Sequence, residues 1–300
     1  VGREIDVVIN DGDDIIKLET YADRILQFKR NTMYLINATK SAEFLEDTFV
    51  GKGVLHPGAV CKTDFGVAWA NENGCYLYDG QKVNNLTESV VSETEWATHM
   101  NANSQIFYFP SKRKLFITGD WTGGSTAVND LYEYSISTQG WTKLDAKAAS
   151  LPTNFVLDID NIVKCVNSAG TTLKWDDSVA ATSKYSLKTK DIDFGNPATL
   201  KRLYRALITW KVDGGGDSNI SVKYGTNGEV ANTKEFTGGD LGVPSGGSSN
   251  WQVTDLIPDT LTEANSIRSI QLHLGYNDGA VPSGFAVNDI TLVYRERSLR

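Results

Sequence analysis

The sequence predicts an all-β protein: a β-propeller-like N-terminal part of about four blade-like units over residues 1–184, followed by a jelly-roll-type β-sandwich over 185–300. Three observations carry this. Short alternating strands separated by Gly, Asn and Asp turns recur side by side through the first part, most clearly over Cys61–Val90. Beyond a small polar stretch at 179–186 the strands become longer and the loops richer in glycine. Aromatic residues make up 10% of the chain, a share that suits strands, and nothing approaches the ~18 consecutive apolar residues of a membrane helix.

Taken in order, Ile5, Val7 and Ile9 alternate as a strand before the acidic turn Asn10–Asp14, which lacks the ligand spacing of a calcium loop. The chain begins at Val1 with no initiator Met. Val1 is therefore read as a processed end or an internal start, and the propeller-like part as incomplete or completed from elsewhere. A first blade-like unit runs over 25–55 and a second follows some 36 residues on, with strands around Phe65–Trp69, Cys75–Tyr78 and Gln81–Leu86. Residues 91–102 form the clearest helix candidate. Ser92 and Glu95 stand at capping-box spacing there, and Trp96 and Met100 share a face. The third unit is the best defined: strands at 105–109, 114–118, 131–134 and 141–144, with a Gly-rich excursion over 120–130. A fourth unit spans 154–178.

In the second part, Tyr185–Phe194 reads as a long alternating strand. Leu200–Val212 reads as another, stopped by Asp213-Gly214-Gly215-Gly216. Here Leu203, Arg205, Leu207, Thr209 and Lys211 are expected on one face and Tyr204, Ala206, Ile208 and Trp210 on the other. Strands are also expected at 220–224, 251–253, 269–274 and 286–294, with 225–250 as loop, His273 exposed, and Arg295–Arg300 as a basic tail.

Composition and motifs point away from chemistry. No nucleophile elbow, phosphate loop, dinucleotide fingerprint or HExxH run is present. Asp64, Asp120, Asp158 and Asp160 are the carboxylates a propeller glycosidase would need to converge, yet each stands beside a turn, where Asp is expected for backbone reasons. His99 has no partner in a recognisable frame and is read as structural. Cys61, Cys75 and Cys165 lack metal or disulfide spacing and read as free thiols. No cofactor, metal or catalytic residue is expected. Trp121, Trp141, Trp175 and Trp251 are the candidates for interface contacts or for stacking a ligand. The formal charge is −8, nearly all of it within 1–184, which suits a wall along which DNA passes without sticking.

Two resemblances add to this. NDLYEYSISTQGWTKL (129–144) resembles the inner-to-outer half of a kelch-type blade, although Gly119-Asp120 stands where that family has paired glycines. FLEDTFVGKGVLHPGAVCKTDFGVAWANENGCYLYDG (44–80) and SLKTKDIDFGNPATLKRLYRALITWKV (186–212) together resemble tail proteins of short-tailed bacteriophages, most nearly the nozzle or tail tubular type. That resemblance implies a non-enzymatic virion component, assembled in the host cytoplasm. It would form a homo-oligomeric ring around the DNA exit channel and hold adaptor, fibres or other tail proteins. A carbohydrate- or receptor-binding module is the alternative the tryptophans raise.

Overall fold

The computed structural model describes residues 12–39, 43–119, 131–144, 153–166, 170–175, 186–213, 217–229, 231–243, 249–275 and 284–297. The chain forms two compact units, Val1–Asp176 and Asp177–Arg300. The expected strand at Ile5–Ile9 and the excursion at 120–130 lie outside the described residues.

The first unit is a succession of antiparallel meanders, each with its strands in chain order. Blade one comprises β1 (Lys17–Tyr21), β2 (Arg24–Phe28), β3 (Thr32–Asn37) and β4 (Phe44–Val50). Blade two comprises β5 (Val60–Thr63), β6 (Gly66–Asn71), β7 (Gly74–Tyr78) and β8 (Val83–Asn85). Helix α1 (Glu93–His99) leads into blade three, made of β9 (Ile106–Phe109), β10 (Lys114–Thr118), β11 (Leu131–Ser135) and β12 (Gly140–Leu144). Blade four shows β13 (Thr153–Leu157), β14 (Val163–Val166) and β15 (Thr172–Lys174). First strands start at residues 17, 60, 106 and 153, a repeat of roughly 45 residues that falls within the propeller range. The shorter spacing expected from the sequence leaves β1, whose apolar alternation is weak, out of the first unit.

The blades are held by their faces. Leu26, Phe28, Met33 and Leu35 of blade one pack against Val60, Val67, Trp69, Tyr76 and Tyr78 of blade two. The other face of blade two offers Ala68, Ala70 and Cys75. These small side chains leave room for Trp96 and Met100 of the helix segment, which pack on Ile106, Leu115, Ile117, Tyr132 and Tyr134 of blade three. Blade three in turn presents Phe109, Phe116 and Leu131 to Val163, Phe155, Leu157 and Trp175 of blade four. Strand β6 is thus buried along its whole length, because successive residues serve two different interfaces. Gly66 permits the hairpin into β6: its φ is +143°, and a Cβ there would lie 1.8 Å from the Tyr78 carbonyl oxygen. The helix begins as expected, with Ser92 Oγ accepting from the Glu95 amide at 3.1 Å.

The second unit is an eight-stranded antiparallel sheet curled over one core. Its strands are β16 (Leu187–Lys188), β17 (Leu200–Lys211), β18 (Ser221–Thr226), β19 (Lys234–Asp240), β20 (Gln252–Pro258), β21 (Asn265–Ile267), β22 (Ile270–Leu274) and β23 (Ala286–Arg297). The order runs β16-β22-β18-β19-β20-β17, with β21 and β23 also on β17. β19 pairs with β18 through Glu235 and Asp240 and with β20 through Phe236 and Thr237, so it carries the sheet from one layer to the other. Leu203, Ala206, Ile208, Trp210, Val222, Tyr224, Phe236, Leu256, Leu272 and Leu274 fill the space between.

Five sequence expectations are corrected here. The strand at 185–194 reduces to Leu187–Lys188, because side-chain oxygens replace part of the ladder. Thr189 Oγ1 accepts from the Leu272 amide at 3.0 Å, and Asp191 accepts from Ser269 Oγ at 2.7 Å. A bulge between Leu203 and Arg205 moves Leu203 to the core side and leaves both Tyr204 and Arg205 outside. β19 lies inside the expected loop 225–250, anchored by buried Phe236. His273 is buried, with Nε2 2.8 Å from Ser186 Oγ. Arg295, Glu296 and Arg297 continue β23 against β17.

One buried cation organises the start of β17. Lys201 is 0% exposed, and its ammonium donates to the carbonyls of Asp193 at 2.8 Å, Arg268 at 3.3 Å and Asn196. Lys201→Met strands these carbonyls and is expected to cost about 2–4 kcal/mol in urea unfolding. Trp69→Ala is expected to cost about 3–5 kcal/mol, as a large side chain lost from an inter-blade core. Burial pushes the Cys61 thiol up to about 12 and raises those of Cys75 and Cys165. At pH 8 a thiol reagent should therefore label the native chain slowly and the urea-unfolded chain at all three cysteines within minutes.

Candidate functional site

The turn aspartates among the described residues each make local contacts. Asp64, in the β5–β6 turn, accepts from the Tyr108 hydroxyl at 2.9 Å. Burial first, and then this carboxylate, hold the Tyr108 hydroxyl up at about 12. Asp158, in the β13–β14 turn, accepts from the amides of Asp160 and Ile162 at 2.9 Å each and pairs with Lys164. The Lys164 ammonium and these amides hold the Asp158 carboxyl below the usual range. Asp160 lies in the same turn, and Asp120 falls outside the described residues. His99 is buried, with Nε2 3.3 Å from the Ile117 carbonyl and its ring against Tyr132. Among the described residues no group of three or more His, Cys, Asp or Glu side chains has metal-binding geometry.

The tryptophans divide by role. Trp141 packs on Tyr134, opposite it across β11–β12, with centroids 4.9 Å apart, and also on Trp96 and Tyr132. Its indole donates to the Leu86 carbonyl at 2.7 Å, so it is a clamp between blades two and three. Trp175 sits against Phe116 and Phe155, between blades three and four. Trp121 lies outside the described residues. Trp251 is 47% exposed, with the Lys211 ammonium 5.2 Å from its ring centroid.

Trp251 stands at one corner of a sheet face. Strand register sets Val293 beside Arg205, Asp255 and Thr291 on either side of Leu207, and Val253 and Asp289 on either side of Thr209, with Ile257 two residues beyond Asp255 along β20. Val253 is 65% exposed and Ile257 44%. The charges are tied down within the face: Arg205 reaches Asp255 at 2.7 Å, and the Thr209 hydroxyl donates to Asp289. The result is an outward layer of apolar side chains and paired polar ones, suited to covering by another surface. Alternation placed Arg205, Leu207, Thr209 and Lys211 together in the sequence, but the flanking rows depend on register.

A second feature escaped sequence reasoning altogether. Beside α1, a groove of about 480 Å³ is lined by Asn73, Asn85, Glu88 and Glu93 over Tyr76 and Trp96. It continues past Glu72 and Thr94 to Thr98. Lys52 is the basic residue of its lining, and its ammonium lies over the Tyr76 and Phe49 rings. The three glutamates come from the β6–β7 turn, the segment after β8 and the first turn of α1, so only the fold unites them. The groove is polar and acidic, a place for cationic or hydroxyl-rich groups.

No protein-family model matches the chain, and no curated protein sequence matches it. Among solved structures, the chain is similar to a GH74 enzyme of Niastella koreensis at 13% identity and a TM-score of 0.32, over 51% of this chain and 28% of that one. It is similar to the extracellular domain of a one-component system of B. thetaiotaomicron at 12% identity and a TM-score of 0.36, over 68% and 33%. It is also similar to the exo-β-1,3-galactanase of Phanerochaete chrysosporium at 10% identity and a TM-score of 0.25, over 90% and 78%. The chain thus spans about a third or less of the first two proteins it matches. At these scores the likenesses carry no assignment of function.

Proposed function

We propose that this chain is a structural component of a short-tailed phage tail, of the nozzle or tail tubular type, working as a ring of identical copies around the path of the DNA. The observation that carries the reading is the outward face of β20, β17 and β23. There Trp251, Val253, Ile257 and Val293 are exposed between internally neutralised charges. Such a face gains by being covered, and a ring multiplies modest contacts into a stable assembly. The two stretches that resemble tail proteins map onto β4–β7 and onto the segment ending in β17, which borders this face. Neighbouring tail proteins, adaptor and fibres among them, would bind the outside of the ring, while genomic DNA passes without specific contacts.

Exposed Trp251 favours a second reading, in which the chain recognises a carbohydrate or receptor by stacking on the indole.

Light scattering of the purified chain is expected to give a multiple of the 32.9 kDa protomer mass, and Val253→Asp to shift it towards the protomer. A monomer at every concentration sinks the ring. Glycan-array binding lost on Trp251→Ala, with the assembly intact, would instead establish the second reading.

A further inference from the structure

Three arginines gather at the end of the β17–β23 pair. Arg202 and Arg295 are direct cross-strand partners, and Arg297 stands two residues on from Arg295 on the same face. Like charges directly opposite one another destabilise a sheet unless an anion lies between them. Among the described residues, none of the three forms an ion pair with a carboxylate. The Arg202 guanidinium rests over the Tyr204 ring at 5.0 Å, and its Nε is buried with no hydrogen-bond partner there. The Arg297 guanidinium donates to Ser266 Oγ at 2.6 Å and Asn265 Oδ1 at 3.3 Å, which holds it in place over β21. The arrangement sets three guanidinium groups without a carboxylate partner among the described residues on a chain whose net charge is −8. Guanidinium forks of this kind take carboxylates in bidentate geometry.

Resting on the ring reading above, we propose that this arginine cluster binds carboxylates of a second copy of the chain, supplied by the acidic groove beside α1. Charge complementarity selects that occupant. Glu88 and Glu93 line that groove and Glu72 its continuation, and every copy carries both surfaces. A contact between two different patches of identical chains is heterologous, the kind that repeats head to tail and closes into a ring. It differs from covering of the apolar face in that salt must weaken it.

The test is charge exchange in the full chain, read by light scattering across a concentration series at about 50 mM and 500 mM salt, the low and high ends of screening. Arg295→Glu alone and Glu93→Lys alone should each raise the dissociation constant at least about tenfold. Their combination in one chain should restore most of the loss. Arg295→Gln should act in the same direction more weakly, and circular dichroism should show every variant folded. An assembly that forms unchanged with Arg295→Glu overturns this proposal and leaves the ring reading standing. A combined variant no better than the single ones overturns it as well. A wild-type monomer overturns both. If duplex DNA binds the wild type at 150 mM salt and Arg295→Glu abolishes that binding, the cluster is a phosphate site and the proposal falls.

Discussion

A four-stranded meander has two faces, and it cannot bury both by itself. That constraint governs the first unit. Blade two satisfies it with a division of labour along β6: Val67 and Trp69 turn to blade one, and Ala68 and Ala70 turn to the helix and blade three. The large residues meet a flat sheet directly, whereas the small ones face a gap that Trp96 fills. Each of these indoles also carries a polar end that must be matched. Trp69 donates to the Lys52 carbonyl at 2.9 Å and Trp96 to the Asn71 carbonyl at 2.8 Å. The same side chains that exclude water between blades therefore fix their rotation, since moving a blade would break bonds in a dry interface.

The second unit meets the constraint differently, by curling one sheet until it faces itself. β19 makes the turn possible because it changes partners midway, and its glycines at 238 and 239 adopt positive φ where the pairing shifts. At the start of β17 the usual choice of an apolar residue is replaced by Lys201. Its ammonium gathers carbonyls from the segment 193–196 and from Arg268, doing the work of a crosslink between a loop and a strand end. A buried charge satisfied by neutral dipoles ties together backbone that has no ladder of its own.

The parts of this fold that were legible in the sequence are those whose signal is local. The third blade is an example: its strands alternate cleanly and its turns carry Pro110 or Gly140, so all four of its strands were placed from the sequence. The cap of α1 was equally local. What failed depended on distant partners. Whether Thr189 continues a strand is decided by β22, more than 80 residues away, and the bulge in β17 that reassigns Leu203 shows only in its pairing with β23. His273 occupies the polar side of its strand as alternation requires, yet it is buried because the segment around Ser186 covers it. Of the candidate tryptophans, Trp141 and Trp175 carry the same sequence signal as Trp251. Only the packing of aromatic neighbours separates a clamp from a surface.

This separation bears on what the molecule is for. Among the described residues, buried side chains gather between blades and within the curled core. The chemistry left at the surface is broad instead: an apolar sheet face with its charges internally paired, a groove that gathers glutamates, and a strand end that gathers arginines. Broad and complementary surfaces of this kind on one chain are what the proposed assembly would use. They become useful when copies are placed in repeated register, because each weak contact is then made once per copy and the closing one costs no further loss of freedom. The spread of apolar and charged surfaces over the chain is thus in keeping with the assembly proposed above.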